Sequence, residues 1–244
     1  MAEEILLSLI LPAYNEEKRL PECMEKVASF VGAHREPIEV ILVENGSRDR
    51  TYELGCEYAA KYPWLKVLRE QKPGKGNAVR RGMLEARGKY RMFADVDFSM
   101  PISEVDHFIP PMLSDYQVAI GSREVKGAVR YNEPATRHFT GRVFNLIVRI
   151  LLNLPKIHDT QCGFKSFSAE AAEKLFRLQK IDGWAFDAEV LFIAKQCGYE
   201  IIEVPVQWYY DGNSKINVLQ DSLKMFRELL QIRKNHREGL YRQK

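Results

Sequence analysis

The sequence predicts an α/β fold with a mostly parallel central sheet and helices on both faces. Over the first two thirds of the 244 residues, short apolar runs alternate with longer segments of helical spacing. Turn residues bound the apolar runs, as they bound buried strands. Strand–helix alternation of this kind is typical of parallel sheets, whose connections cross over as helices.

The alternation predicts five strands and four helices. The strands are Ile5–Leu11, Ile38–Glu44, Leu65–Arg69, Tyr90–Asp95 and Gln117–Gly121, and the helices are Glu16–Val31, Asp49–Lys61, Lys75–Ala86 and Ser103–Leu113. Ligands of parallel sheets bind outside the carboxyl ends of the strands. Functional residues are therefore expected directly after each strand.

The final third is less regular. Gly121–Thr136 holds two glycines, a proline and mixed charge, which predicts a mobile loop. The predicted elements after it are an apolar helix (His138–Leu154), a helix (Trp184–Cys197), a strand (Glu200–Trp208) and a last helix (Asn217–Asn235) with one apolar stripe. We predict a main domain over residues 1–215 and a C-terminal amphipathic helix with a basic tail over 216–244.

Composition excludes several classes of protein. Apolar residues make up 45% and charged residues 28%, as in soluble globular proteins, and a net charge of +3 does not indicate a nucleic-acid partner. The four cysteines have no CxxC spacing, so no zinc or redox motif is predicted. The N-terminal apolar run is too short for a secretory signal, and no transmembrane helix is predicted.

Polar residues follow four of the predicted strands. They are Pro12–Glu16, Glu44–Asp49, Asp95–Asp97 and Gly121–Arg123. A single polar strand end is commonly a helix cap, and Ser47 or Asp49 would serve as one. Four such ends on one edge of a sheet instead indicate a binding crevice.

Asp95 and Asp97 are the most specific candidate site residues at that edge. Carboxylates at i and i+2 point the same way on an extended chain, and a cation must offset their repulsion. Oxygen ligands suit Mg²⁺ or Mn²⁺, which commonly bridge to substrate phosphates. The structural alternative is a pair of turn carboxylates that cap a helix near Pro101.

Other candidates are basic or acidic. The glycine-rich stretch Lys72–Asn77, with Lys75, precedes a helix and suits an anion, although it is not a Walker A motif. Arginines at 123, 130, 137 and 142 indicate phosphate binding or a solvated basic loop. Asp187 and Glu189 are candidate acids or bases, or alternatively buried caps.

Together these residues resemble glycosyltransferase family 2, most closely its dolichyl-phosphate β-glucosyltransferases and next its dolichyl-phosphate mannose synthases. The motifs that carry the resemblance are LPAYNE (11–16), KPGKGNAVRRGM (72–83), ADVD (94–97), GSR (121–123), DTQCGFK (159–165), FDAE (186–189), VPVQW (204–208) and SK (214–215). They occur in the family's order and span nearly the whole chain.

The resemblance implies a GT-A fold with a donor site, in which residues 1–123 form the nucleotide-sugar-binding part and residues 124–215 the acceptor-side part. Residues expected to bind the nucleotide sugar are Pro12, Ala13, Tyr14, Glu16, Glu44, Gly46, Lys75 and Asp95. Glu44 inherits the base contact, because Glu44-Asn45 stands where the family usually has two aspartates. Asp97 becomes the ligand of a Mg²⁺ or Mn²⁺ ion on the diphosphate, with Asp95 beside it. Ser99 replaces a glutamine that some relatives carry there, so water would complete the metal shell.

The resemblance also implies the reaction. The expected enzyme is an inverting transferase that moves a hexose to a polyprenyl phosphate, with UDP-glucose favoured as donor over GDP-mannose. Arg123 ends the strand that is expected to lie beside the metal site, and Arg123 and Arg137 are expected to hold the acceptor phosphate. The lipid chain would then run along Phe139, Val143 and Ile147, and Asp187 would be the base for a hydroxyl acceptor. The alternatives are a transferase for soluble or polysaccharide acceptors, a non-catalytic nucleotide-sugar-binding protein and a nucleotidyltransferase. The expected location is cytoplasmic, at the periphery of a membrane.

Overall fold

The computed structural model describes residues 4–212 and 218–242, with side chains described in 4–212 and 222–242. The strands are β1 (Leu7–Ala13), β2 (Ile38–Glu44), β3 (Leu65–Arg69), β4 (Tyr90–Phe93), β5 (Val118–Ser122), β6 (Val129–Tyr131), β7 (Lys165–Ser168), β8 (Ile201–Pro205) and β9 (Gln207–Tyr209). The α-helices are α1 (Leu20–Ala33), α2 (Thr51–Lys61), α3 (Lys75–Glu85), α4 (Ala135–Leu151), α5 (Ala169–Leu178), α6 (Phe186–Gln196) and α7 (Val218–Arg237).

Seven strands form the central sheet in the order β3-β2-β1-β4-β7-β5-β8. All neighbouring pairs are parallel except those of β7, which runs antiparallel between β4 and β5. Strands β1 and β2 are mostly apolar and almost wholly buried. One hydrophobic cluster covers each face of the sheet, so the strand carboxyl ends emerge along one edge between two helical layers.

The sequence pattern does not predict β7 and α5. The sequence of β7, Lys-Ser-Phe-Ser, has no apolar run, although Lys165, Ser166 and Phe167 are fully buried. Its position corrects the expectation that β5 lies beside the Asp95 strand, because β7 separates them. The predicted helix Ser103–Leu113 is a 3-10 helix over Ile102–Phe108. Pro110 and Pro111 follow it and lack the N–H groups that a continuing helix needs.

The predicted mobile loop Gly121–Thr136 contains a strand instead. The segment β6 pairs in parallel with β9 as a separate two-stranded sheet, and the rings of Tyr131 and Tyr209 stack with centroids 4.3 Å apart. The predicted strand Glu200–Trp208 correspondingly divides at Val206 into β8 and β9. These contacts fix the loop beside the last strands of the sheet.

The two long amphipathic helices α4 and α7 pack against each other. In the described part of α7, Leu229 and Ile232 enter the hydrophobic core. No helix in the described ranges is both long and apolar enough to cross a bilayer. The predicted boundary at 215/216, the Ser214-Lys215 motif and Asn217 lie outside the described residues, and the division into domains stays a prediction.

Candidate active site

A crevice forms where the carboxyl ends of the central strands meet the first turns of α3 and α6. Asp95 follows β4, Lys75 begins α3, and Asp187 lies in the first turn of α6. Because β7 is antiparallel, its first residue, Lys165, pairs with Phe93 at the same edge. The structure thus gathers carboxylates and ammonium groups from four separate segments.

These groups form two ion pairs. The Lys75 Nζ lies 2.5 Å from Asp95 Oδ1, and its ammonium group is 5.3 Å from the centre of the Trp184 ring. Behind them the fully buried Lys165 Nζ lies 2.6 Å from Asp187 Oδ1 and also donates to the Cys162 carbonyl. Gly163 packs directly against the Asp95 carboxylate. The 159–165 motif therefore forms the floor of this crevice.

Burial and charge act against each other in these pairs. Burial lowers the pKa of Lys75, but the carboxylates of Asp95 and Asp187 raise it overall, so Lys75 stays a cation. Burial raises the pKa of Asp187, and the ammonium groups of Lys165 and Lys75 oppose that effect without cancelling it. The Lys75 ammonium group is therefore a fixed positive charge within the crevice.

Asp97 stands at the mouth of the crevice, where its Oδ1 accepts a hydrogen bond of 3.0 Å from the Ser99 N–H. Enclosure of the carboxyl group and the charge of Asp95 raise the pKa of Asp97. In the described parts of the chain, no group of three or more His, Cys, Asp or Glu side chains gathers to hold a metal. Two neighbouring carboxylates fit a hard divalent cation that takes its other oxygens from a diphosphate and water.

The expected nucleoside pocket is built by two loops that are bonded to each other. The Asn15 N–H donates to Ser47 Oγ, and the Glu16 N–H donates to Thr51 Oγ1. The Arg48 N–H donates back to Asn15 Oδ1. These bonds hold the backbone after β1 against the backbone after β2, with the Tyr14 ring 48% exposed between them and solvent.

The remaining residues of that prediction occupy the two strand ends. Pro12 and Ala13 close β1, and Ala13 is buried. Gly46 lies in the β2–α2 turn with φ +70°, a backbone conformation that favours glycine.

Glu44 is fully buried beneath this turn. Its Oε1 accepts from the Ser47 N–H, and its Oε2 lies 3.1 Å from Arg69 Nε without hydrogen-bond geometry. Arg69 is half-exposed and stacks 4.7 Å from the Tyr52 ring centre. Glu44 therefore shapes the turn from below, and Arg69 is an exposed cation beside it that the sequence analysis missed.

Asn45 has a structural role that the sequence did not reveal. Its Nδ2 donates to the carbonyls of Glu70 and Lys72, and its Oδ1 accepts from the Gly74 N–H at 2.8 Å. An aspartate would lack the amide donors for those two carbonyls. The departure from the family's usual pair thus fastens the loop that carries Lys75.

Arg123 is paired rather than free. Its Nε and one terminal nitrogen donate to Asp159 at 2.7 and 3.0 Å, and its guanidinium lies 5.4 Å from the Trp208 ring centre. Burial would raise the pKa of Asp159, but the charge and hydrogen bonds of Arg123 lower it to about 2. Arg130, another candidate from the sequence, is held by Glu124 and Glu133.

Arg137 occupies the neighbouring position. Its guanidinium lies 5.4 Å from the Tyr210 ring centre, and the Tyr210 and Trp208 rings are 6.0 Å apart. Arg123 and Arg137 therefore stack on one aromatic platform, although β5 is not adjacent to β4. In the described parts of the chain, no carboxylate lies within ion-pair distance of Arg137, which leaves its donors available to an anion.

Glu189 lies away from the crevice, in the core between α6 and the C-terminal turn. It accepts hydrogen bonds from the backbone N–H groups of Lys180 and Ile181 and from the Tyr241 hydroxyl. Of the two acidic candidates on α6, only Asp187 therefore reaches the crevice. Burial raises the pKa of Glu189 to about 7, and those hydrogen bonds only partly oppose it.

This burial predicts a stability that depends on pH. Because the folded-state pKa of Glu189 exceeds its unfolded value of about 4.3, the folded protein binds the extra proton between those pH values. The free energy of unfolding should therefore fall, by on the order of 2 kcal/mol from this group, as pH rises from 5 to 8. Urea unfolding at both pH values should show a smaller fall in Glu189→Gln, and an identical fall in variant and wild type would contradict the assignment.

Comparison with known proteins identifies the family. The model of glycosyl transferase family 2 matches residues 8–176. A dolichyl-phosphate beta-glucosyltransferase of Trichomonas vaginalis is 35% identical over 250 residues, which cover 98% of this chain and 74% of that protein. The Drosophila melanogaster protein of the same name is 36% identical over 255 residues, covering 97% and 77%.

A solved structure shows the same fold. Glucosyl-3-phosphoglycerate synthase from Mycobacterium tuberculosis, in complex with Mn²⁺, UDP-glucose and phosphoglyceric acid, superposes with a TM-score of 0.66 at 18% identity, covering 93% of this chain and 79% of that one. The sequence relatives and the shared sheet architecture lead to one conclusion: this chain belongs to glycosyltransferase family 2 and is a glycosyltransferase with a GT-A fold.

Proposed function

We propose that this enzyme transfers glucose from UDP-glucose to a polyprenyl phosphate such as dolichyl phosphate, with inversion at the anomeric carbon. The observation that carries the proposal is the pair of arginines on the Trp208–Tyr210 platform, which opens next to an apolar helix. Relatives that match nearly the whole chain are named for this reaction. The structural neighbour with UDP-glucose and Mn²⁺ supports the donor and a divalent ion.

The donor would lie with its nucleoside on the loops after β1 and β2. Its diphosphate would face Lys75 and the first turn of α3, where the helix dipole favours negative charge. Asp95 and Asp97 would hold Mg²⁺ or Mn²⁺ there, and the ion would supply neutralisation of the departing diphosphate. Lys75 adds a fixed positive charge from within the crevice, where low dielectric strengthens its effect.

The acceptor phosphate would attack the anomeric carbon from the opposite face. A phosphomonoester has a second pKa of about 6, so it is already largely anionic at neutral pH and needs no general base. What it needs is positioning, which Arg137 and the remaining donors of Arg123 would give. Asp187 is bound to the buried Lys165, a placement that suits shaping of the floor at least as well as proton removal.

A groove of about 400 Å³ along α4 would receive the start of the lipid chain. Phe139, Val143 and Leu146 line it together with Arg142. The sequence-based expectation placed the chain along Phe139, Val143 and Ile147. In the structure Leu146, and not Ile147, lines the groove with the other two.

The adjacent helices α4 and α7 would rest on an anionic membrane. Their outer faces carry exposed apolar side chains, which we call the docking surface: Phe139, Val143, Leu146 and Ile150 on α4, and Leu223, Phe226 and Leu230 on α7. Exposed basic residues flank them, including Arg142, Arg227, Arg233 and Lys234. An apolar stripe with basic flanks suits the interface of an anionic bilayer. The cytoplasmic face of a membrane is the expected location.

Membrane binding can be measured by flotation with vesicles of phosphatidylcholine and phosphatidylserine. The double variant Phe139→Glu/Ile150→Glu should bind at least about fivefold more weakly, because it places two carboxylates against anionic lipid and removes two apolar anchors. Met112→Glu is the matched control, since Met112 is 66% exposed but lies outside the docking surface. Equal flotation of the double variant and wild type, or none by wild type at low salt, would remove the membrane role.

Glu44 provides a test of the donor side. Glu44→Ala should raise the KM for UDP-glucose by about tenfold and change kcat little, because it removes binding that ground state and transition state share. The physical reason is loss of support for the Ser47 N–H and for Arg69. UDP binding as tight as that of wild type would show that the turn supported by Glu44 does not bind the nucleotide.

A product assay tests the reaction itself. Purified enzyme, Mg²⁺ or Mn²⁺ and a short polyprenyl phosphate are incubated in turn with UDP-glucose, UDP-galactose and GDP-mannose. We expect a β-glucosyl phospholipid from UDP-glucose at a rate at least about tenfold above the other donors. Transfer only to a soluble hydroxyl acceptor, release of pyrophosphate, or tight UDP binding without turnover would each refute the proposal.

A further inference from the structure

The turn between α5 and α6 is fixed from the side of α7. Glu228 Oε2 on α7 accepts a hydrogen bond of 2.9 Å from the Ala185 N–H, at the N-terminal end of α6. The same carboxylate lies against Gly183, where any Cβ would overlap Glu228 Oε1. A side chain 43 residues away in sequence thus sets the path of Gly183–Ala185.

The turn between α5 and α6 also supports the loop that carries Lys75. Gly74 has φ +132° and packs on the Asp182 carbonyl so closely that a Cβ would overlap it. Lys72 Nζ lies 2.5 Å from Asp182 Oδ2, and the Trp184 ring lies beneath the Lys75 ammonium group. The turn therefore contacts the loop at Lys72, Gly74 and Lys75, and Lys75 is the residue proposed to face the donor.

We propose that Glu228 is a positioning residue for the nucleotide-sugar site. Its carboxylate orders Gly183–Ala185, that turn seats Gly74 and Trp184, and these place the Lys75 ammonium group beside Asp95. The inference rests on the proposed role of Lys75 toward the donor diphosphate. Glu228 touches no reacting group itself, so its effect is on affinity for the donor.

The contacts of Glu228 explain why an acceptor oxygen is needed at this position. Ala185 is the N-cap residue of α6, and the N–H groups at this end of a helix lack partners within the helix. A carboxylate there also interacts favourably with the helix dipole. Glutamine keeps one acceptor oxygen at the same reach, whereas alanine leaves the N–H and the Gly183 turn unsupported.

The test compares Glu228→Ala, Glu228→Gln and the control Glu238→Ala. Glu238 is an exposed carboxylate just beyond the end of the same helix, 3.8 Å from Lys234. We measure the dissociation constant of UDP with Mg²⁺ by calorimetry, and KM and kcat for UDP-glucose with a short polyprenyl phosphate. All proteins are assayed well below their unfolding temperatures.

We expect Glu228→Ala to weaken UDP binding and to raise KM by about tenfold, with kcat reduced by less than about threefold. Glu228→Gln should recover to within about threefold of wild-type affinity, and Glu238→Ala should match wild type. Simple destabilisation would lower the fraction of active protein and the apparent kcat, but would leave the dissociation constant unchanged. Wild-type UDP affinity in Glu228→Ala would overturn the inference.

Two further variants distinguish failure of the positioning role from failure to fold and from failure of the donor-site assignment. If Glu228→Ala does not fold, Glu228→Asp replaces it, because the shorter side chain withdraws the carboxylate from Ala185, and the same two results apply. Lys75→Ala is measured alongside. Unchanged UDP affinity in Lys75→Ala would refute the donor-site assignment, whereas weakened binding there combined with normal binding in Glu228→Ala refutes only the positioning role.

Discussion

Replacing Asp97 with alanine should reduce glucosyl transfer by at least about 1,000-fold, the loss expected when several kcal/mol of charge stabilisation are removed from a transition state. Asp97 lies at the mouth of the crevice beside Asp95, where two carboxylates and a diphosphate would otherwise repel one another. Its side chain belongs to an exposed turn after β4, so the variant should keep the unfolding free energy of wild type to within about 0.5 kcal/mol.

This prediction is checked by measuring both the transfer activity and the binding of the metal ion. Binding of Mn²⁺ in the presence of UDP is followed by electron paramagnetic resonance, and it should weaken strongly in Asp97→Ala. Glu25→Ala is the control, because Glu25 is an exposed carboxylate on α1 with no part in the crevice. Full activity of Asp97→Ala, or of wild type in excess chelator, would remove the metal from the mechanism.

The gathering of the candidate residues was predictable from the sequence where it depends on strand ends. The alternation of strands and helices places Asp95, Lys75 and the loops after β1 and β2 at one edge, because parallel strands share a direction. The structure confirms the α/β class, and six of the seven sheet strands follow that pattern. The exception, β7, is polar in sequence, and no periodicity marks a strand whose lysine is buried.

What the sequence could not supply is pairing between distant residues. Lys165 pairs with Asp187 only because β7 runs antiparallel beside β4. Arg123 pairs with Asp159, which is 36 residues away in the sequence. The sequence of a motif does not show whether its lysine or arginine pairs with a ligand or with a carboxylate of the protein. Asn45 shows the same limit, since its three hydrogen bonds to the Lys72 loop depend on how two loops approach.

The pairing of Arg123 decides how the acceptor site should be tested. Arg123→Ala would leave the buried Asp159 without its partner, and breaking such a pair costs about 3–5 kcal/mol. Loss of activity in that variant would therefore not separate phosphate binding from loss of structure. Removing the Arg137 side chain leaves no buried carboxylate without its partner, because Arg137 stacks on Tyr210 at a partly exposed position in α4.

Arg137→Ala should lower kcat/KM for a short polyprenyl phosphate by about 100-fold or more. A guanidinium that binds a phosphate contributes about 1.5–3 kcal/mol through charged hydrogen bonds, and loss of orientation adds to that. The affinity for UDP should stay within about twofold of wild type, since Arg137 lies on the platform and not in the donor crevice. Slow hydrolysis of UDP-glucose by water should also persist, because it does not use the acceptor phosphate.

Arg35→Ala is the matched control, because Arg35 is exposed and lies in the α1–β2 loop, at the opposite edge of the sheet from the crevice. A short acceptor in detergent removes any contribution from membrane binding, so the two arginines are compared for phosphate binding alone. Conversely, Arg137→Ala that weakens UDP binding as much as transfer would place this arginine on the donor diphosphate. Equal transfer by Arg137→Ala and wild type would mean that the platform beside α4 does not receive the acceptor, and the lipid would then have to reach the anomeric carbon from another side of the crevice.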